Sequence, residues 1–174
     1  MTALKSMSRH QVRFMLNGQP AESEAEPRLL LTDFLRHQIG ATGTHVGCEH
    51  GVCGACTVVI DGMLTRACMT LAVQIEGCDV RTVESLAPAV DRLGILQAAF
   101  RKHHALQCGF CTAGILMSLD HFLRGNPDPS EEDIRVLLSG HLCRCTGYTP
   151  IVKAALEAAK DMRTSSANNE PAHV

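Results

Sequence analysis

Val46-Gly-Cys-Glu-His-Gly-Val-Cys-Gly-Ala-Cys-Thr-Val-Val-Ile-Asp-Gly62 decides how the rest of the chain is read. Three thiols stand here as Cys48-x4-Cys53-x2-Cys56, and a fourth, Cys68, follows downstream. Gly47, Gly51 and Gly54 flank or separate them, and a β-branched run, Thr57 to Ile60, leads straight out of the loop into Asp61-Gly62. Further along, Cys108-x2-Cys111 and Cys143-x-Cys145 form a second group, leaving Cys78 over from the total of nine. Four thiolates twice over imply two metal centres in one small chain.

The first spacing is the sharper signal. C-x4-C-x2-C followed by a distant Cys is the ligand spacing of plant-type [2Fe-2S] ferredoxins. Structural zinc usually takes paired knuckles around one ion, and the four-residue gap of Glu49, His50, Gly51 and Val52 is long enough to wrap a cluster. Glycines admit left-handed backbone angles that turn N–H groups inward, where they stabilise an anionic cluster. Zinc, or a redox thiol pair at Cys53 and Cys56, is the competing reading. The second group is less diagnostic, because C-x2-C with C-x-C also suits a zinc ribbon. Its pairs lie in helical sequence rather than tight hairpins, however, and beside an electron carrier a second cluster makes a relay. Cys78 reads as an ordinary small residue. His50 invites comparison with Rieske centres, in which histidines replace thiolates, but four cysteines are already available and it reads as a loop residue.

Composition narrows the class. With 45% apolar residues the chain of 174 can pack two small cores, while 3% aromatics and a formal charge of −2 argue against a nucleic-acid surface. No apolar run approaches the roughly 18 residues of a membrane span, and Met1 to Gln11 lacks the apolar centre of a secretion signal. An odd cysteine count with ligand spacings points to reduced thiols and a cytoplasmic location.

Periodicity divides the chain in two. Val12, Phe14 and Leu16 alternate into Asn17-Gly18, a hairpin signal; Leu29 to Gln38 reads as a short helix ending before Gly40; Asp61-Gly62 makes a second hairpin with Met63 to Arg66; and Val80 to Thr82 closes the sheet. That is what a β-grasp domain over residues 10–83 requires. Glu84 to Arg92, punctuated by Pro88, is the linker. Residues 93–163 then carry four helical segments: Ile95 to His104, Thr112 to Arg124, a helix opened by a capping box of Ser130 and Asp133 and running through Leu138, and a last one from Thr149-Pro150 to Met162. Cys108 and Cys111 precede the second of these, and Cys143 and Cys145 lie between the third and fourth, so the four thiols can meet at one end of a bundle. Residues 164–174 read as a disordered tail. The fold class expected is α+β: an N-terminal β-grasp [2Fe-2S] ferredoxin domain followed by a C-terminal four-helix-bundle [2Fe-2S] domain.

The opening stretch, with Gln107-Cys-Gly-Phe-Cys-Thr-Ala-Gly114 and Leu142-Cys-Arg-Cys-Thr-Gly-Tyr148, resembles the iron-sulfur subunit of the molybdenum hydroxylases, the xanthine oxidase and aerobic carbon monoxide dehydrogenase type. The resemblance runs from about Gln11 to Met162. It implies a distal cluster on Cys48, Cys53, Cys56 and Cys68 and a proximal one on Cys108, Cys111, Cys143 and Cys145. It implies a large partner carrying molybdenum and its pterin, a medium partner carrying FAD, and an assembly that is a dimer of heterotrimers. Electrons would pass from molybdenum through this chain to flavin. Gln107 matches the family glutamine that hydrogen-bonds the pterin, and Cys145 would lie beside the same cofactor. Arg144 suits either a solvated helix start or a contact with the pterin subunit. Ala113 stands where many relatives have proline, with little consequence expected for ligation. An aromatic or heteroaromatic substrate is expected for the complex, and a free-standing two-cluster ferredoxin is the alternative.

Overall fold

A computed structural model describes residues 5, 8–89 and 91–167. Strands β1 (His10–Leu16) and β2 (Gln19–Ala25) pair antiparallel through Asn17-Gly18, and β3 (Thr57–Ile60) and β4 (Met63–Arg66) through Asp61-Gly62. Both turn residues have positive φ in each case, 52° and 79° in the first turn, 47° and 78° in the second. These are the angles of the two-residue turn that matches strand twist, which is why Asn-Gly and Asp-Gly announce it. The short strand β5 (Asp79–Arg81) lies between the hairpins, parallel to β1 and antiparallel to β3, giving the order β2-β1-β5-β3-β4.

Against this sheet packs a helical segment that begins as α1 (Leu31–Asp33) and continues as a π-helical stretch, Phe34–Ile39. The expected helix from Leu29 therefore starts two residues late. Leu30 forms an isolated antiparallel bridge with Leu71, and the Leu29 carbonyl accepts from Ala72 N–H, so both residues are held extended. Leu31, Phe34 and Leu35 are fully buried with Val12, Phe14, Val58, Ile75 and Val80 to make the first core.

A second, separate core belongs to α2 (Ile95–Lys102), α3 (Thr112–Gly125), α4 (Glu131–Leu138) and α5 (Thr149–Ala167). Its centre is Phe100, Ile115, Leu119, Ile134 and Ile151. Leu86, inside the stretch read as linker, and Val83, just before it, already pack against this core. The capping box forms as expected: Ser130 Oγ accepts from Asp133 N–H at 3.1 Å, and the Asp133 carboxylate accepts from Ser130 N–H at 2.8 Å. Two ends differ from expectation. α2 stops at Lys102 because His104 turns to φ 52° and Ala105 N–H closes back on the Phe100 carbonyl at 2.9 Å. The tail expected from Thr164 is helical as far as Ala167, and its remainder lies outside the described residues.

Helix α3 packs across β3 and so joins the two units. Thr57, Val58 and Val59 are all buried, the pattern of a strand covered on both faces.

Candidate metal centres

The first group of thiols is built almost entirely by one loop. Between Gly40 and β3 the chain passes through Glu49 at φ 56°, Gly51 at φ 83° and Gly54 at φ 78°, and this winding brings amide hydrogens round to one side. Cys53 N–H lies 3.4 Å from Cys48 Sγ. The backbone amides of Cys53 and His50 are the main reason that the Cys48 thiol is pulled down to about 6, so it is a ready thiolate near neutral pH. Gly47 has no positive φ; it makes room, since a Cβ there would stand 3.0 Å from Cys53 Sγ and 3.2 Å from the Phe110 ring. Cys68 arrives on a 3-10 turn, Ala67–Met69, after β4, tied to Cys56 by the bond from Ala67 N–H to the Cys56 carbonyl at 3.2 Å. Burial, and then the Cys56 side chain, push the Cys68 thiol up to about 11. His50 folds back through Nδ1 onto the Cys48 carbonyl, in keeping with a loop residue.

The second group is assembled by helix packing. Cys108 and Cys111 occupy the turn ahead of α3, with Gly109 at φ 82° between them, while Cys143 and Cys145 lie in the connection from α4 to α5. Cys145 Sγ and Cys108 Sγ, 37 positions apart in sequence, come within 3.5 Å. Burial, and then its neighbour Cys143, raise the Cys111 thiol to about 12. At Cys143 burial works upward, but the Thr146 hydroxyl at 3.1 Å and nearby backbone amides outweigh it and lower the thiol. Tyr148 holds this segment in place: its hydroxyl accepts from Cys143 N–H at 2.8 Å and donates to the His141 carbonyl at 3.0 Å.

Both groups suit a cluster of iron and sulfide. Buried thiols with raised values resist ionisation until a metal takes the proton's place, and the inward amides of the first loop offer donors to an anionic guest. Among the described residues no three His, Cys, Asp or Glu side chains close on a single-ion site; the thiols approach one another in pairs. Cys78 stands apart, its Sγ 3.8 Å from the Gln74 carbonyl and its thiol raised by burial and by Asp61.

The two groups face each other across a tight joint that sequence reading did not anticipate. The Cys53 carbonyl accepts from Leu142 N–H at 3.0 Å, one residue before Cys143. Gly54 and Gly114 of α3 touch so closely that a Cβ on Gly114 would lie 2.0 Å from the Gly54 carbonyl oxygen. Arg66 donates to the Gly140 carbonyl at 2.7 Å and to Thr57 Oγ1, and Arg81 of β5 meets Asp120 of α3 at 3.6 Å. His45 stacks on Phe110 with centroids 5.1 Å apart. His141, buried behind the joint, is pulled down to about 4 by burial and then by the Arg66 cation, so it is neutral.

Outside the joint, Cys108 and Cys145 are exposed. Leu106, Phe110 and Leu142 present 41%, 48% and 57% of their surface around them, an apolar rim. Gln107 and Arg144 are also exposed at this end.

The family described as a 2Fe-2S iron-sulfur cluster binding domain matches residues 14–79, and that described as a [2Fe-2S] binding domain matches residues 82–156. The chain is 55% identical to the caffeine dehydrogenase subunit gamma of Pseudomonas sp. (strain CBB1), over 85% of this chain and 90% of that one. It is 49% identical to the nicotine 6-hydroxylase small subunit of Paenarthrobacter nicotinovorans, covering 91% and 94%. Among solved structures, quinoline 2-oxidoreductase from Pseudomonas putida 86 superposes with a TM-score of 0.86 at 49% identity, over 90% of this chain and 97% of the matched one.

Proposed function

The chain belongs to the iron-sulfur subunits of the molybdenum hydroxylase family, and from that premise we propose that it relays electrons from a molybdenum-pterin subunit to a FAD subunit. It is the two-cluster, electron-transferring member of the enzyme and holds no substrate site of its own. When bound, each [2Fe-2S] centre takes up and gives up one electron at a time. Cys48, Cys53, Cys56 and Cys68 hold the distal centre, and Cys108, Cys111, Cys143 and Cys145 the proximal one. The protein's own part is to hold thiolates, direct amides at them, keep water from the buried ligands and fix the two groups against each other.

The observation that carries this reading is the contact of the two cysteine segments through the Cys53 carbonyl and Leu142 N–H, 3.0 Å apart. A relay needs its stations adjacent and rigid, and the joint supplies both. The apolar rim of Leu106, Phe110 and Leu142 supports a dedicated partner at the proximal end. A free-standing ferredoxin carrier would present a polar surface there, and the matched relatives are named as subunits. Gln107, exposed beside Cys108, is assigned to the pterin contact with Cys145 next to it.

Caffeine, nicotine and quinoline, in the names of the relatives, are all nitrogen heteroaromatics, so the complex is assigned a substrate of that class. Among the described residues no helix is long and apolar enough to cross a membrane, and a cytoplasmic dimer of heterotrimers is the assembly proposed. Purification from the native host through a tag on this chain tests the reading. Molybdenum, FAD and about four irons and four sulfides per chain should co-purify, the content two such centres need. A colourless zinc protein, or a brown one isolated alone with full iron, contradicts it.

A further inference from the structure

His141 is 3% exposed, and its ring fills the slot between α3 and the Cys53–Ala55 turn. Nε2 is 2.8 Å from Ser118 Oγ on α3, while Nδ1 is buried with no hydrogen-bond partner among the described residues. A Cβ on Gly54 would lie 2.4 Å from that Nδ1 and 2.8 Å from the Gly140 carbonyl, so the ring and the loop are in direct contact. The His141 backbone is pinned at both ends, its N–H donating to the Leu138 carbonyl at 2.9 Å and its carbonyl accepting from Tyr148. Leaving a ring nitrogen buried without a partner is costly, and an aliphatic side chain of similar size would avoid the cost. What the imidazole offers instead is a flat, stiff body anchored at one nitrogen.

We propose that His141 is a positioning residue for electron relay: anchored to Ser118, its ring is the spacer that seats the Cys53–Gly54 turn against the Leu142–Cys143 segment and so sets the separation of the two clusters. Resting on the ligand assignment above, the role is one that a stabilising core residue would not have. Coupling between two centres weakens steeply with separation, so a small slackening of the joint shows in how the centres sense each other before it shows in folding.

The test uses the purified complex, fully reduced, with wild-type, His141→Ala, Ser118→Ala and His141→Gln chains. Two paramagnetic [2Fe-2S] species are expected in all four. Wild type should show splitting from their mutual interaction; His141→Ala should narrow it most, at unchanged iron and sulfide; Ser118→Ala should narrow it less; and His141→Gln, whose amide nitrogen reaches towards Ser118, should keep part of what His141→Ala loses. Hydrogen exchange at Leu142 N–H should quicken in the same order. Unchanged splitting in His141→Ala and Ser118→Ala, or no splitting in wild type, overturns the inference while leaving the two-cluster reading intact. Iron lost from all three variants also overturns it, because the residue then serves assembly. Fewer than two species in wild type sinks the earlier reading instead.

Discussion

The two cysteine groups reach similar chemistry by opposite routes. In the first, three of four thiols come from one loop whose left-handed turns at Glu49, Gly51 and Gly54 wind the backbone around the site. In the second, two short pairs, with Cys108 and Cys145 37 positions apart, meet only because α3, α4 and α5 pack as they do. The first site is therefore a property of local backbone and carries its signature in spacing. The second depends on tertiary structure, and its spacing alone does not separate a cluster from zinc.

That contrast can be broken most sharply by Cys108→Ser. Iron should fall from about four to about two per chain, with the distal signal intact and steady turnover of the complex abolished; iron analysis with spectroscopy of the reduced protein decides it, and loss of both signals would show the sites to be interdependent. Next comes the joint between them. Gly114→Ala gains up to about 1 kcal/mol of helix propensity but puts a methyl against the Gly54 carbonyl, 2.0 Å away, so a net loss of about 1–3 kcal/mol is expected in urea unfolding. Asp120→Asn removes the charge shared by Arg81 and Arg124 and should cost about 1 kcal/mol, since both arginines are partly exposed and water screens them.

Ser130→Ala tests the helical unit alone, at about 1 kcal/mol. Hydrogen bonds from the Ser130 side chain and backbone hold Asp133 below its ordinary value of 3.8. The stability it contributes is thus present above that value and is lost as pH falls through the depressed one. Acid titration of Ser130→Ala should show a flatter decline in this window than wild type. Least of all, Cys78→Ala should change neither iron content nor turnover, and any loss of iron would redraw the first ligand set.

Much of this was legible from residues alone where the physics is local. Asn17-Gly18 and Asp61-Gly62 need positive φ twice over and have it; Ser130 and Asp133 cap one another within a single turn; α3 was expected to open at Thr112 and does. What escaped was non-local. The late start of α1 comes from Leu71 and Ala72, far along the chain, capturing Leu30 and Leu29. The bond from Arg66 to the Gly140 carbonyl spans 74 positions, and no periodicity announces it. Gly47 was expected to bend the chain and instead gives Phe110 and Cys53 room. In sequence a histidine beside a cysteine motif reads equally well as loop, and only its burial against Gly54 distinguishes His141.

Tyr148 is the chain's one tyrosine, and there is no tryptophan. Its hydroxyl lies between the Cys143 amide and the His141 carbonyl. Tyrosine emission from this polypeptide therefore has a single address, next to the second group of thiols: quenched when a coloured centre is seated there, recovered when it is stripped, and requiring no attached dye.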